Sequence, residues 1–302
     1  MINNFHELIE DALKSEKRTI AVAGAENTDV LLSINNAMCM GLADGILIGD
    51  KSKIKETAAC CSLDISKFEI VDKKEEYGCA NTAVEIVSSG GADILMKGNI
   101  KTSSVLKAVL DKDKGLFKSR LLSHVMVYSM ASYDKLLFLT DGGMVMYPDL
   151  KQKIDIIQNA VKLTSILGIE CPKVAPLCAV EVVNTHMQST IDAALLTKMN
   201  QRGQISGCII DGPLSLDIAI NKKSANNKNV HGDVAGDADI LLVPNIEAGN
   251  ILGKSLTYFG GAKSAGIIMG ARYPIVLVSR GDNHETKLFS IALGSIVART
   301  IT

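Results

Sequence analysis

The chain contains no tryptophan, and aromatic residues of all kinds make up only 4% of its 302 positions. That poverty argues against the stacking platforms that hold nucleic-acid bases and against aromatic sugar clefts. Charge of one sign is lacking too: the net charge is −1, with acids and bases interspersed. The electrostatic footprint of a nucleic-acid or membrane-surface binder is therefore missing, and any phosphate recognised belongs to a small ligand. No apolar run approaches membrane-spanning length. The first eighteen residues carry Glu7, Glu10, Asp11, Lys14, Glu16 and Lys17 on a helical pattern, which does not read as a signal peptide. The seven cysteines form no C-x-x-C pair and no zinc spacing, although Cys60 and Cys61 are adjacent. They read as reduced core thiols of a soluble, cytoplasmic protein. No G-x-G-x-x-G follows a strand pattern, so a dinucleotide site has no positive support.

What the chain has in quantity is short apolar runs, each followed by an amphipathic stretch. Strands are expected at 19–23, 45–48, 68–71, 93–96, 124–129, 136–140, 173–177, 208–210, 240–243 and 274–278. Helices are expected at 29–41, 80–89, 103–110, 150–167, 246–259 and about 285–299. Alternation of this kind over a whole chain predicts a parallel α/β architecture. Only residues 130–135 join the strands at 124–129 and 136–140, too few for a helical crossover. These two strands are expected to pair as an antiparallel hairpin marking a junction between domains. The polar stretch 221–229 (NKKSANNKN) is expected to be an exposed loop.

Several strand ends carry chemistry. The run 274–278 ends in Ser279-Arg280-Gly281, a hydroxyl and a guanidinium where open α/β sheets place their ligands. Arg has the planar fork that best fits a phosphate or carboxylate; the alternative is a surface charge on an exposed loop. Lys97 and Gly98 close the run 93–96, and Thr102, Ser103 and Ser104 open the next helix. That is either a phosphate cradle on a helix N-terminus or ordinary capping. Ser123 and His124 begin a strand, where a lone His is either structural or catalytic. Asp211-Gly212-Pro213 closes the run 208–210 and begins a helix with Pro near its first turn; Asp211 there is a ligand group or a cap. Asn245, Glu247 and Asn250 follow the run 240–243 in the same manner. Two tempting patterns fail. GNILGKS (249–255) has three residues between its glycines where a nucleotide-binding P-loop needs four. His231, Asp233, Asp237 and Asp239 suggest a metal, but a polar helix–strand transition explains them as well.

Taken together, these segments resemble the phosphate acetyl/butyryltransferase family, its butyryl branch most closely. The resemblance is carried by LMKGNIKT (95–102), SRLLSHVMVY (119–128), TDGGMVMYPDLKQKIDII (140–157), DGPLSLDIAI (211–220), GDADILLVPNIEAGNILGKSL (236–256) and GARYPIVLVSRGDNHETKLFSIALG (270–294). It implies a two-domain, three-layer α/β fold with parallel-type sheets, like that of the isocitrate and isopropylmalate dehydrogenases. The first domain is expected at 1–130 plus 275–302. The second is expected at 131–274, with the dimer contacts of a homodimer or higher homo-oligomer, and the active site in the cleft between them. The implied reaction is reversible: a short acyl group, butyryl foremost, passes between coenzyme A and inorganic phosphate in a ternary complex, with no covalent enzyme intermediate. Coenzyme A and acyl-CoA are substrates, and no tightly bound cofactor, metal, nucleic acid or membrane partner is expected.

The family's catalytic Ser-Arg pair falls on Ser279 and Arg280. In the acetyl branch a catalytic Asp lies seven residues after that Ser; here the position is Thr286, and the nearest carboxylates, Asp282 and Glu285, are the expected catalytic bases in its place. An acetyl-branch Arg appears as Lys107, which keeps the charge and loses the fork. Phosphate and coenzyme A contacts are expected from Lys97, Gly98, Thr102, Lys107, Ser123, His124, Asp211, Asn245, Glu247 and Asn250. The chemistry suits such a reaction. A phosphate dianion needs a fixed cation, a thioester carbonyl under attack needs a hydrogen-bond donor, and a thiol needs a base. The competing readings are an acetyl-transferring enzyme, a non-catalytic binding or regulatory relative that lost its base, and a dehydrogenase of the related fold.

Overall fold

The computed structural model describes residues 1–117 and 121–301. Their elements run in the order α1 (Phe5–Ala12), β1 (Arg18–Ala23), α2 (Thr28–Cys39), β2 (Ala43–Gly49), α3 (Lys51–Cys60), β3 (Glu69–Asp72), α4 (Glu76–Ser88), β4 (Ile94–Lys97) and α5 (Thr102–Val109). There follow β5 (Ser123–Met130), β6 (Tyr133–Thr140), α6 (Leu150–Ile166), β7 (Lys173–Pro176), α7 (Gln188–Gln201), β8 (Ile209–Ile210), α8 (Leu216–Ile220), α9 (Lys222–Asn227), β9 (Ile240–Leu242) and α10 (Ile246–Tyr258). The chain ends with β10 (Lys263–Met269), β11 (Ile275–Val276) and α11 (His284–Ala298). All ten expected strands are present with bounds moved by one to three residues, and β10 is an eleventh.

The chain divides into two compact units: Phe5–Ser119 with Ala265–Thr302, and Met1–Asn4 with Arg120–Ser264. Sequence patterning placed the divisions at 130/131 and 274/275. The first of those falls in the turn of the β5–β6 hairpin, both strands of which lie in the second unit. The second falls in the connection between β10 and β11, which pair antiparallel within the first unit. A division that cut either hairpin would leave a ladder of backbone groups to be satisfied elsewhere. Ser119 and Arg120, the first two residues of one motif quoted above, lie outside the described residues.

In the first unit the strand order is β3-β2-β1-β4-β11-β10. The first five strands are parallel, and β10 is antiparallel to β11. Buried on both faces, β1 is apolar from Ile20 to Ala23 and β4 from Ile94 to Met96, and all of these residues are fully buried. Helices α2, α11 and α1 pack on one another and α4 packs with α5, giving the sheet its helical layers. The apolar stripe of α1, Phe5, Leu8 and Ala12, meets α11, where the Phe5 and Phe289 rings stack at 4.4 Å.

In the second unit the order is β5-β6-β9-β7-β8, parallel except for the expected hairpin. Its core gathers Leu137, Leu139, Ala175, Leu177, Leu214, Ile218 and Leu241, and Tyr128 lies over α10 at Gly253. The stretch 221–229 is not a loop. Asn221 caps a short helix by accepting from the Ser224 N–H at 3.0 Å, and Ala225 is buried beneath it. Pro213 lies before α8 rather than in its first turn, because Ser215 occupies the N-cap. The cysteines also depart from expectation. Only Cys79 and Cys208 are buried, Cys61 and Cys178 are half-buried, and Cys39 and Cys60, at the ends of α2 and α3, and Cys171, before β7, are exposed. Among the described residues no helix is long and apolar enough to cross a membrane.

One ion pair ties α6 to α7 inside the second unit. Lys153 and Asp192 meet at 2.6 Å with side chains only 6% and 8% exposed, and Gln188 donates to the other carboxylate oxygen at 2.8 Å. Replacing one partner of such a pair strands a buried charge at a cost of about 3–5 kcal/mol, whereas an apolar pair of similar volume is close to neutral. Lys153→Met is expected to lower the unfolding free energy from urea denaturation by an amount in that range, and adding Asp192→Leu to recover most of the loss. A single variant as stable as the parent would show that Asp192 finds another partner.

Candidate active site

The first unit gathers three strand ends. The Gly24 and Ala25 N–H groups donate to Ile48 near the end of β2, and the chain after β4 folds back onto β1: the Gly98 and Asn99 N–H groups donate to Ala23 and Gly24 at 2.9 and 2.7 Å. A Cβ on Gly98 would run into the Gly24 carbonyl oxygen, so only glycine permits this approach. Lys97, the last residue of β4, is 3% exposed. Its ammonium reaches the carbonyls of Gly98 (3.1 Å) and Ile100 (3.3 Å). Burial first, then the charges of Arg280 and Lys287, push Lys97 down to about 8, against a smaller upward pull from Asp282 and Glu76.

The α5 N-terminus is not an open phosphate cradle. The Glu76 carboxylate, from the first turn of α4, accepts from the Lys101 N–H and from the Ser104 hydroxyl at 3.2 Å. A helix N-terminus favours an anion, and here the chain supplies its own. Thr102 is the first residue of α5, behind Lys101 at the N-cap, so neither it nor Ser103 caps the helix by its side chain. Lys107 is exposed and lies 4.6 Å from the Tyr77 ring centroid, a cation–π contact.

Beyond β11, Leu277 and Val278 stay buried, and Ser279 and Arg280 emerge in a tight turn. The Asp282 N–H donates to the Ser279 carbonyl at 3.2 Å, and the Asp282 carboxylate accepts the Ser279 N–H at 2.7 Å. The Gly281 N–H donates to Ser279 Oγ at 3.3 Å, which fixes the oxygen and leaves the hydroxyl hydrogen to be donated elsewhere. Asn283 caps α11 through the Thr286 N–H, and the Asp29 carboxylate of α2 accepts the His284 N–H at 3.0 Å. Glu285, half-buried, lies in the first turn of α11. Thr286 is buried and carries no titratable group. Sequence reasoning missed Lys287. It is 2% exposed and donates to the Asp282 carbonyl, and burial holds it below the usual lysine range although Asp29 and Asp282 pull upward.

The second unit places its own polar groups at one edge of its sheet. Because β5 runs antiparallel to β6, with Val125 opposite Thr140, the start of β5 lies beside the ends of the parallel strands β6 and β9. Ser123 is fully buried and its Oγ accepts from Asn159 at 2.9 Å. His124 is buried with its imidazole against Gly143, where an added Cβ would lie 2.6 Å from Nδ1. Asp141, absent from the sequence-based candidates, holds this corner together. Its carboxylate accepts from the backbone N–H groups of Gly143, Met144, His124 and Val145 at 2.8 to 3.3 Å. Asp-Gly-Gly directly after a strand is the local signal for such a turn.

Gly249 of α10 presses on that turn, and a Cβ there would lie 2.6 Å from Gly142 Cα. Asn245 caps α10 through the Ala248 N–H at 3.0 Å. The Tyr147 hydroxyl donates to exposed Glu247, and Asn250 is exposed one turn along. The stretch 249–255 lies within α10, in line with the helix expected at 246–259. Asp211 stands apart, after β8 and two strands from β9. It does not cap α8; burial, with Asp233 nearby, pushes its carboxyl above the usual range. Asp237 and Asp239 are taken up by lysines, Lys173 and Lys135, at 2.5 and 2.6 Å. Burial opposes ionisation of Asp237, but those two lysines outweigh it and hold it at about 2. Among the described residues no group of three or more His, Cys, Asp or Glu could hold a metal ion.

Comparison with known proteins matches this chain to the family model described as phosphate acetyl/butaryl transferase over residues 4–82 and 78–295. A phosphate butyryltransferase of Clostridium acetobutylicum is 49% identical over 298 residues, 99% of each chain. A crystal structure of a branched-chain phosphotransacylase from Enterococcus faecalis superposes with a TM-score of 0.84 at 32% identity, covering 93% of this chain and 99% of that one. A 4-hydroxythreonine-4-phosphate dehydrogenase from Klebsiella pneumoniae shares the fold alone, with a TM-score of 0.56 at 11% identity over 93% of this chain and 99% of its own. The expected dehydrogenase-like architecture is therefore present without evidence of dehydrogenase chemistry, and the chain belongs to the phosphate acetyl/butaryl transferase family.

Proposed function

We propose that this protein is a phosphate acyltransferase that passes a short acyl group, butyryl by preference, reversibly between coenzyme A and inorganic phosphate. The observation that carries the reading is the Ser279–Asp282 turn at the end of β11, which exposes a guanidinium and an orientable hydroxyl side by side on a chain of this family. Arg280 presents its fork to the phosphate dianion. Ser279, its oxygen fixed by the Gly281 N–H, donates to the oxyanion that develops as phosphate attacks the thioester carbonyl. The carbon–oxygen bond to phosphate forms, the carbon–sulfur bond breaks, and the thiolate leaves with its electron pair. With both substrates held in place, proximity supplies much of the acceleration and no enzyme nucleophile is needed.

In this reading Gly98 contacts substrate beside the β11 turn, while Thr102 and Lys107 in the first unit, and Ser123, Asp211 and Glu247 in the second, act by supporting structure. Coenzyme A is bound only as substrate, and the protein works in the cytoplasm as a homo-oligomer. Exposed Ile251, Tyr258 and Phe259, 67%, 70% and 92% accessible along and after α10, support self-association.

The purified protein is expected to release coenzyme A from butyryl-CoA only when phosphate is present. Each buried methylene contributes roughly 0.8 kcal/mol, and discrimination per methylene lies at about 10–200-fold. Butyryl-CoA should therefore exceed acetyl-CoA in kcat/KM by at least about tenfold. An acetyl preference of that size would move the protein to the acetyl branch, and phosphate-independent release would end the acyl-phosphate reading altogether. Arg280→Ala is expected to lose about 2–4 kcal/mol of transition-state stabilisation, as for a deleted charge-assisted anion contact, with Arg280→Lys recovering only part. Parental kinetics in Arg280→Ala would remove that residue from the site.

A further inference from the structure

We propose that Lys97, as a neutral amine, is the general base that takes the thiol proton of coenzyme A when acyl phosphate is converted to acyl-CoA, and that its ammonium returns a proton to the leaving thiolate in the opposite direction. This rests on the acyl-transfer reading above. In the first direction the S–H bond breaks and the proton moves to Nζ. The thiolate pair then attacks the acyl carbon, the carbon–sulfur bond forms, and the carbon–oxygen bond breaks as phosphate leaves with its electrons.

The geometry suits an amine better than an ammonium. Nζ has two carbonyl acceptors, Gly98 and Ile100, at 3.1 and 3.3 Å. A neutral amine has two N–H groups to give them and one lone pair left over, whereas an ammonium has a third N–H to place. No carboxylate lies within salt-bridge distance of Lys97 among the described residues. The charged groups that act on it are Arg280 after β11, Lys287 on α11, Asp282 in the turn between them and Glu76 on α4. Two cations and burial oppose its proton, and two carboxylates in part restore it; the balance lies at about 8, where an amine is available at neutral to mildly alkaline pH. Asp282 closes its own turn through the Ser279 N–H, Glu285 sits in the first turn of α11, and Thr286 carries no titratable group. Lys97 stands at the carboxyl end of β4, next in the sheet to β11, which delivers Ser279 and Arg280.

The test is kcat for butyryl phosphate plus coenzyme A, both saturating, followed from neutral to alkaline pH in the parent, Lys97→Arg and Lys97→Met. The parent is expected to rise tenfold per pH unit to a plateau beginning near 8. Lys97→Arg keeps the charge and the carbonyl contacts but cannot give up its proton. It is expected to lose at least about a hundredfold in kcat, with little change in either KM and with the alkaline rise abolished. A merely structural lysine would be rescued by Arg. Retained kcat in Lys97→Arg, or an alkaline rise that survives in either variant, would overturn the proposal. If the variants do not fold, the parent decides in a water–methanol mixture. Ionisation of a thiol or carboxyl creates charge and shifts upward as the dielectric falls, whereas loss of a proton from an ammonium creates none. An alkaline limb that stays in place supports Lys97, and one that moves up overturns it. A parent enzyme with no phosphate-dependent activity would be a failure of the acyl-transfer reading itself, seen before any variant is made.

Discussion

The candidate site depends on keeping buried positive charge without neutralising it. Elsewhere in the chain, buried or half-buried lysines pair with carboxylates: Lys153 with Asp192, and Lys135 and Lys173 with Asp239 and Asp237. At the ends of β4 and β11 the rule changes. Lys97 is satisfied by the carbonyls of Gly98 and Ile100, and Lys287 by the carbonyl of Asp282. A carbonyl dipole satisfies an ammonium hydrogen-bond donor but does not cancel its charge. The positive potential thus survives for an incoming phosphate, and one consequence is that both lysines are held below their ordinary range. Pairing separates the lysines that hold the fold from those that could serve chemistry.

Most of the scaffold was legible in the sequence because parallel strands buried on both faces must be nearly continuous in apolar residues. Where that signal is diluted, reading failed. Strand β10, KSAGIIM, begins with Lys263 and carries Ser264 and Gly266 inside it, yet all but Lys263 are buried, and the Gly266 N–H is met by Ser290 Oγ of α11. Helices α3, α7 and α9 were missed; α3 and α9 are polar and fixed at their starts by caps, Asp50 and Asn221, rather than by an apolar stripe, whereas α7 has no side-chain cap. The cysteines misled for a related reason: apolar neighbours in sequence do not bury a side chain that stands at a helix end.

At the site, Ser279 and Arg280 could be found because their signal is local, a strand that stops at a hydroxyl and a guanidinium. The groups that arrange them could not. Glu76 reaches the α5 N-terminus across 25 positions of sequence, and nothing near it in the chain announces this. Lys287 left a faint trace, since a lysine in the first turn of a helix opposes the macrodipole. A local conflict of that kind marks the places where function overrides folding preference. Asp141 left the clearest trace in its Asp-Gly-Gly turn, although only the structure shows that four backbone donors converge on it.

The missing acid and the depressed lysine belong to one argument. The resemblance places an Asp of the acetyl branch at the position that Thr286 occupies, and Thr286 is buried with its N–H committed to the Asn283 cap. A carboxylate there would stand next in sequence to Lys287, one of the two cations that act on Lys97. It would pull the lysines upward toward the charged form, and a permanently charged Lys97 could not accept a proton. Losing that carboxylate removes one base and, by the same electrostatics, releases another. The substitution is therefore compatible with catalysis only if the proton has a second acceptor, and the amine at the end of β4, with two carbonyls for its two N–H groups, is the acceptor we propose.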